Sequence, residues 1–364
     1  MTVNLVHIVG ARPNFMKAAP VVDALGVLGV DQRLIHTGQH YDAALSQVFF
    51  DELGLPEPDR YLGIGSGSHG VQTARLLEAL ETEFVGLAPS GVIVYGDVNS
   101  TLAATLAAAK LHIPVAHVEA GLRSFDRDMP EEVNRVVTDS LAGLHLVTSP
   151  EAIGYLAKEG LPVDGVHLVG NPMIDTLEKV RPRLDSASVR ERLGVPEDFA
   201  LITLHRPANV DDPVRARLIV AALAEVGGEV PLLFPIHPRG RESLRTAGLF
   251  EIESLIPSEP LGYLDFTSLM SASRVVITDS GGIQEETTML DVPCLTVRPN
   301  TERPITITHG TNQLVEPEAV AAAVKPILAG DYEFPEWRPP LWDGHAGERA
   351  AAILARWSSA ERPS

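Results

Sequence analysis

The sequence predicts an α/β protein built from two successive halves, each organised on a mostly parallel sheet. Short apolar runs recur along the chain, and each is followed by a polar turn and then by helix-forming sequence. The rhythm is interrupted at Gly170, Asn171 and Pro172 and then restarts. The length of 364 residues exceeds one ordinary core, at roughly 100 to 200 residues per domain. The expected domains are therefore 1–170 and 171–345, with a C-terminal helix in 346–364 packing back on the N-terminal domain.

In the first half, residues 3–9 form an apolar run without strict alternation, as a strand covered on both faces requires. Gly10, Ala11, Arg12 and Pro13 then turn into a helix, and Pro13 suits a first helical position. Further strands are expected at 33–37, 92–95, 115–118, 144–148 and 166–169. The second half repeats the pattern at 200–203, 232–236, 274–278 and 294–297. After the run at 274–278 come Ser280, Gly281 and Gly282 and then a helix-forming segment. Such a turn leaves backbone N–H groups unpaired beside a positive helix end, which makes an anion site, and glycines let a ligand approach the backbone. The alternative is that Ser280 caps a helix and the glycines only make the turn. Glu286, one helical turn beyond Gly282, projects towards the same mouth as a ribose-binding carboxylate would.

Composition excludes several classes. Lys+Arg number 29 against 48 Asp+Glu, a formal net charge of -19, which argues against nucleic-acid and anionic-membrane partners. No stretch approaches the ~20 apolar residues of a membrane helix, and there is no basic leader, so a cytoplasmic protein is expected. Cys294 is the single cysteine, and in its apolar run it reads as core rather than nucleophile. The 12 histidines are scattered without metal-ligand spacing, so neither metal nor cofactor is expected.

In open α/β sheets ligands bind beyond the carboxyl ends of the strands. That rule selects Arg12 and Lys17, Asp97, Glu119, His205 with Arg206, His237 and Ser280 with its glycines. Carboxylates gather on the first half and the anion-binding turn on the second. Asp97 is equally readable as an N-cap. Glu119, followed by Ala120 and Gly121, has no helix directly after it to cap and leans towards chemistry. Glu131 and Glu132 follow Pro130 at a helix start, where carboxylates favour the positive helix end. His205 either pairs with a carboxylate or serves a diphosphate. His237, between prolines, reads as structural.

These residues carry a resemblance. The segments GARPNFMKAAP (10–20), TGQH (37–40), Gly96 with Asp97, VEAGLR (118–123) and PEEVNR (130–135) match a known pattern. So do Gly170 to Pro172, His205 with Arg206, TDSGGIQEE (278–286) and TERP (301–304). Spread in one order over nearly the whole chain, they identify it as resembling the non-hydrolysing UDP-N-acetylglucosamine 2-epimerase family. The resemblance implies two Rossmann-like domains facing across a cleft, GT-B-like, with a UDP-sugar substrate, no cofactor and a homodimeric assembly. It also implies the reaction: loss of the sugar's C2 proton as UDP leaves C1, then re-addition of UDP with a proton delivered to the opposite face. Asp97, Glu119 and Glu131 match the family's catalytic carboxylates in the first domain, and His205 its essential histidine. Arg12 and Lys17 match substrate contacts; Ser280, Gly281 and Gly282 the diphosphate turn in the UDP-binding second domain. Glu286 matches the ribose carboxylate, Arg303 a sugar or phosphate contact, and Phe266 a residue beside the uracil; Arg206 joins the anion site. Which carboxylate is base and which is acid stays open.

The chain also departs from the common bacterial pattern. Pro207 and Ala208 stand before Asn209, where those members usually carry a glutamate. Tyr41 and Asp42 follow His40, and Val71 precedes Gln72 and Thr73, where activator-dependent members carry arginines. An obligatory second UDP-sugar activator is therefore not expected. The Tyr41 and Asp42 variant also occurs in relatives acting on other UDP-2-acetamido sugars, including diacetamido uronates, which keeps the sugar open. A UDP-sugar glycosyltransferase and a non-catalytic nucleotide-sugar sensor are the competing readings. The first needs an acceptor and one base rather than three carboxylates; the second gains little from acidic groups near an anionic ligand.

Overall fold

A computed structural model of the chain describes residues 4–38, 52 and 54–359, without the side chains of Asn4, Arg12 and Ser359. The expectations on Gln39, His40, Tyr41 and Asp42 lie outside the described residues. The chain divides into two compact units, Met1–Lys179 with Pro340–Ser364, and Val180–Pro339.

The first unit runs β1 (Asn4–Val9), α1 (Arg12–Val27), β2 (Asp31–His36), β3 (Arg60–Tyr61), α2 (His69–Leu87), β4 (Gly91–Tyr95) and α3 (Asn99–Lys110). It continues β5 (Val115–Ala120), α4 (Pro130–Leu141), β6 (Leu144–Val147), α5 (Pro150–Lys158), β7 (Val166–Leu168) and α6 (Pro172–Val180). Its strands form a parallel sheet in the order β3-β2-β1-β4-β5-β6-β7. All residues of β4 and β5 are buried, because helices cover both faces, and that is why these strands read as unbroken apolar runs.

The second unit runs α7 (Ser186–Leu193), β8 (Ala200–Thr203), α8 (Pro207–Val210), α9 (Pro213–Gly227), β9 (Leu232–Pro235), α10 (Pro238–Thr246) and β10 (Leu255–Ser258). It ends with α11 (Tyr263–Ala272), β11 (Val275–Thr278), α12 (Gly281–Leu290), β12 (Cys294–Val297), α13 (Ile305–Thr308), β13 (Asn312–Val315) and α14 (Val320–Ala329). The sheet order, β10-β9-β8-β11-β12-β13, repeats that of the first unit, again with parallel pairing. Two core layers, one on each face, share β8, β9 and β11 by alternation: Ile202, Phe234 and Ile277 point to one, Leu201, Leu233 and Val276 to the other. Cys294 is buried in β12, as its apolar surroundings suggest.

The strand order reverses direction between β1 and β4 in one sheet and between β8 and β11 in the other. Each reversal opens a crevice at the carboxyl ends, the binding position of a doubly wound sheet.

The last helix, α15 (Ala346–Ser359), belongs to the first unit. Asp175 on α6 caps its start, accepting from the Ala346 and Gly347 N–H groups at 3.0 and 2.6 Å. Gly347 lies so close to α1 that a Cβ there would stand 2.6 Å from the Pro20 carbonyl oxygen. The returning chain also crosses Gly170, whose absent side chain leaves room for the Leu341 carbonyl oxygen, 2.0 Å from the Cβ position. Gly170 thus lies inside the first unit, whose first segment runs on to Lys179. Among the described residues, no helix is long and apolar enough to cross a membrane.

Candidate active site

In the first unit the site is built where β1, β4 and β5 end. Asn14, in the first turn of α1, accepts from the Gly10 and Ala11 N–H groups at 3.1 and 3.2 Å and donates to the Tyr95 carbonyl at 2.8 Å. It thereby ties the end of β1 to the end of β4. One turn further, Lys17 is buried and ion-pairs with the buried Glu119. Gly96 separates the strand end from this pair: a Cβ on it would lie 3.0 Å from both Glu119 Oε2 and Lys17 Nζ. Its φ of +62° is a second reason for glycine.

Glu119 has φ +70° and sits where the β5–β6 register shifts between Val118 and Ala120. A left-handed backbone on a residue with a Cβ costs about 1–2 kcal/mol, and such strain concentrates at functional sites. Gly121, also at positive φ, follows at +76°.

Asp97 does not cap a helix. The N-cap of α3 is Val98, without a side-chain cap, while the Asp97 carboxylate pairs with the buried Arg135 of α4. The two glutamates after Pro130 divide their roles. Glu132 is buried, accepts from Ser124 N–H, Ser124 hydroxyl and Phe125 N–H at 2.9 to 3.1 Å, and pairs with Arg135 at 2.8 Å. Glu131 is partly exposed and makes no hydrogen bond or ion pair among the described residues, which leaves its carboxyl available for chemistry. Arg12 begins α1.

In the second unit the corresponding place is the end of β8 and β11. Asp279, fully buried, accepts from His205 N–H at 3.1 Å, Arg206 N–H at 2.9 Å and Asn209 Nδ2 at 3.0 Å, and its carboxylate lies 3.1 Å from His205 Nδ1. Burial alone would raise its carboxyl pKa, but His205 and these donors hold it below the ordinary value. The half-exposed His205 ring is thereby oriented by a carboxylate. Arg206 donates through Nε to the Asp279 carbonyl at 2.9 Å, which binds the histidine–arginine turn to the glycine turn.

Ser280 occupies the N-cap of α12, yet its side chain makes no cap bond; its own N–H goes to Thr278 Oγ1 at 3.0 Å. A Cβ on Gly281 would lie 2.5 Å from Arg303 Nη1 and 2.7 Å from Glu302 Oε1. The space over Gly281 therefore holds an arginine aimed at the helix start rather than open backbone. Gly282 is the next residue of the same first turn. Arg303 is ion-paired to Glu302 and, at 2.9 Å, to Glu285, and Glu302 also holds Arg298 at 2.7 Å and approaches Arg206 at 3.8 Å. Guanidinium groups preset in this way beside a helix N-terminus suit a diphosphate.

Glu286 is buried and accepts from the Tyr263 hydroxyl at 2.8 Å. Burial pushes its carboxyl up to about 7, with Tyr263 opposing and Glu285 reinforcing the rise. Phe266, on the same helix as Tyr263, is partly buried against the Leu269–Val276 side of the core. His237 caps α10, accepting from Arg239 N–H at 3.2 Å, with its ring centroid 6.1 Å from that of His205.

Sequence reasoning did not select Arg135, Asp279, Glu285, Arg298 or Glu302 as site residues. For Arg135, Asp279, Glu285 and Glu302 the signal lies in the motifs already quoted, the last three next in sequence to predicted contacts, whereas Arg298 falls outside every quoted motif. Only the fold shows that these charges are buried and paired.

Two doubly wound domains, one with arginines held beside a glycine turn and the other with ion-paired carboxylates where its central strands end, define a two-domain α/β protein of the GT-B-like class. The chain belongs to the UDP-N-acetylglucosamine 2-epimerase family, a family of isomerases, whose model matches residues 27–355. It is 40% identical over 359 residues to the UDP-N-acetylglucosamine 2-epimerase of Methanocaldococcus jannaschii, covering 95% of this chain and 97% of the relative. It is 42% identical over 320 residues to the UDP-2,3-diacetamido-2,3-dideoxy-D-glucuronate 2-epimerase of Pseudomonas aeruginosa, covering 85% of this chain and 88% of the relative. The crystal structure of the Methanocaldococcus jannaschii enzyme in complex with UDP-GlcNAc and UDP superposes with a TM-score of 0.89 at 40% identity, over 97% of this chain and 99% of that one. The Neisseria meningitidis UDP-GlcNAc 2-epimerase bound to UDP-GlcNAc gives a TM-score of 0.88 at 28% identity, over 97% and 100%.

Proposed function

We propose that the protein interconverts UDP-N-acetylglucosamine and UDP-N-acetylmannosamine by elimination and re-addition of UDP. A carboxylate removes the proton at C2, the electron pair forms the C1=C2 bond, and the C1–O bond breaks as UDP leaves. UDP then adds back to C1 while a carboxylic acid returns a proton to the opposite face of C2. The sequence is redox-neutral; the base ends with one proton more and the acid with one fewer, and exchange with solvent restores both.

The observation that supports this most is the arrangement of carboxylates in the first unit. Glu119 faces Lys17 and Asp97 faces Arg135, so each negative charge has its counter-charge before substrate arrives. Glu131 has none among the described residues. In this reading Asp97 and Glu119 handle the C2 proton and Glu131 serves the second face. General acid–base groups of this kind contribute about 10²- to 10⁴-fold each. His205, steadied by Asp279, stabilises the leaving diphosphate together with Arg206, Arg303 and the turn Ser280–Gly281–Gly282. Glu286, steadied by Tyr263, takes the ribose, and Phe266 lies beside the base. Arg12 and Lys17 contact the substrate from the first unit, and a homodimer in the cytoplasm is the expected assembly and place.

The relative from Pseudomonas aeruginosa favours a second substrate, a UDP-2,3-diacetamido uronate, which shares the 2-acetamido group, the C2 hydrogen and the UDP leaving group at C1. Incubating the protein separately with each sugar nucleotide and resolving the products by NMR tests both. A C2 epimer of the first supports the proposal; a C2 epimer of the uronate alone moves it to the second; free UDP and free sugar would replace epimerisation with hydrolysis.

A further inference from the structure

Asp139 of α4 is fully buried and grips β5 on both sides of Glu119. Its Oδ1 lies 2.6 Å from His117 Nδ1, two residues before Glu119, and its Oδ2 accepts from the Gly121 N–H at 3.1 Å, two residues after it. The Arg123 guanidinium stands 2.7 Å from the same Oδ2 and continues to Glu159 through bonds of 2.8 and 2.7 Å. His117 in turn reaches the Gly96 carbonyl through Nε2 at 2.8 Å. A carbonyl only accepts, so Nε2 carries the hydrogen. One buried network therefore holds the residues flanking Glu119 and also the turn that presents Asp97.

The strand needs such a hold. Glu119 is at φ +70° and the register shifts beside it. Relaxation to regular β geometry would turn its side chain to the other face of the sheet, away from Lys17 and Gly96. Neither His117 nor Asp139 has any exposed surface, so both act through the backbone they hold.

We infer that His117 and Asp139 are positioning residues that keep the Glu119 carboxylate and the Gly96–Asp97 turn aligned for proton transfer at C2. The inference deepens the epimerase reading and rests on it. His117→Asn retains an amide near the Nδ1 position, facing Asp139, and loses the bond to Gly96; His117→Gln places its amide near Nε2 and loses Asp139. Both should lower kcat more than tenfold while KM stays within about twofold. With C2-deuterated substrate, both should show a larger isotope effect on kcat than the unchanged enzyme, because proton transfer has become slower. A purely structural pair would lower the melting temperature and leave kcat per folded molecule and the isotope effect unaltered, which overturns the inference, as would a rise in KM at constant kcat. Should either variant not fold, Asp139→Asn carries the same expectations beside the other. If the unchanged enzyme epimerises neither sugar nucleotide, the epimerase reading itself fails, and that outcome is distinct from a null effect of the variants.

Discussion

The Lys17 ammonium lies directly against the Glu119 carboxylate, and the two side chains are only 4% and 2% exposed. Removing one partner of such a pair strands a buried charge, at about 3–5 kcal/mol. Lys17→Met should therefore destabilise the protein by that order in chemical denaturation. Lys17→Met with Glu119→Gln should recover most of the loss. Glu119→Gln alone should reduce kcat by about 10²-fold or more; near-full turnover would remove Glu119 from the chemistry.

Asp97 offers a cleaner separation of activity from stability. Because Val98 is the N-cap of α3, Asp97→Asn removes no helix cap, and Arg135 keeps Glu132 as its partner. Turnover should fall about 10²- to 10⁴-fold while the denaturation midpoint moves little. Preserved turnover with a lowered midpoint would make Asp97 a structural residue.

At the glycine turn, Gly281→Ala places a methyl against the ends of Arg303 and Glu302, 2.5 and 2.7 Å from the Cβ position. Both are flexible side-chain ends, so the fold should survive and the cations should move. UDP affinity, measured by calorimetry, should weaken about tenfold, equivalent to ~1.4 kcal/mol. Unchanged affinity would show that Arg303 does not serve the diphosphate.

Glu286 makes a pH prediction. Its folded carboxyl, raised to about 7 chiefly by burial, binds a proton that the unfolded chain has lost above its ordinary value of 4.5. The folded state thus holds more protons between these values, so this group's contribution is present below about 4.5 and is lost as pH rises towards 7. Glu286→Gln should flatten the fall in stability over that range. Denaturation midpoints at pH 5 and pH 7 for both proteins check it.

Much of this was legible in the residues, and the exceptions share a physical cause. The buried central strands were readable as apolar runs. The strands β3, β10 and β13, each at a sheet edge, were not, although the edge strand β7 was. Edge strands are covered less completely: both residues of β3 are exposed, and β10 is only partly buried. The rule that ligands bind beyond strand ends singled out Lys17, Asp97 and His205, which follow β1, β4 and β8 at the two reversals, and Glu119, which instead lies inside β5, the neighbour of β4. It could not find Asp139 or Arg135, whose contacts join α4 to β5 and to the turn after β4 across long sequence separations. Nor could it show that Gly281 makes way for Arg303.

The most direct test of the central claim is to incubate the purified protein with UDP-N-acetylglucosamine in D₂O and follow the sugar signals by NMR. The account predicts a new UDP-N-acetylmannosamine anomeric signal with deuterium at C2, and loss of both incorporation and product in Glu119→Gln. Epimerisation with the original C2 hydrogen retained would contradict proton transfer with solvent-exchangeable carboxyl groups, and release of free sugar and UDP would contradict re-addition.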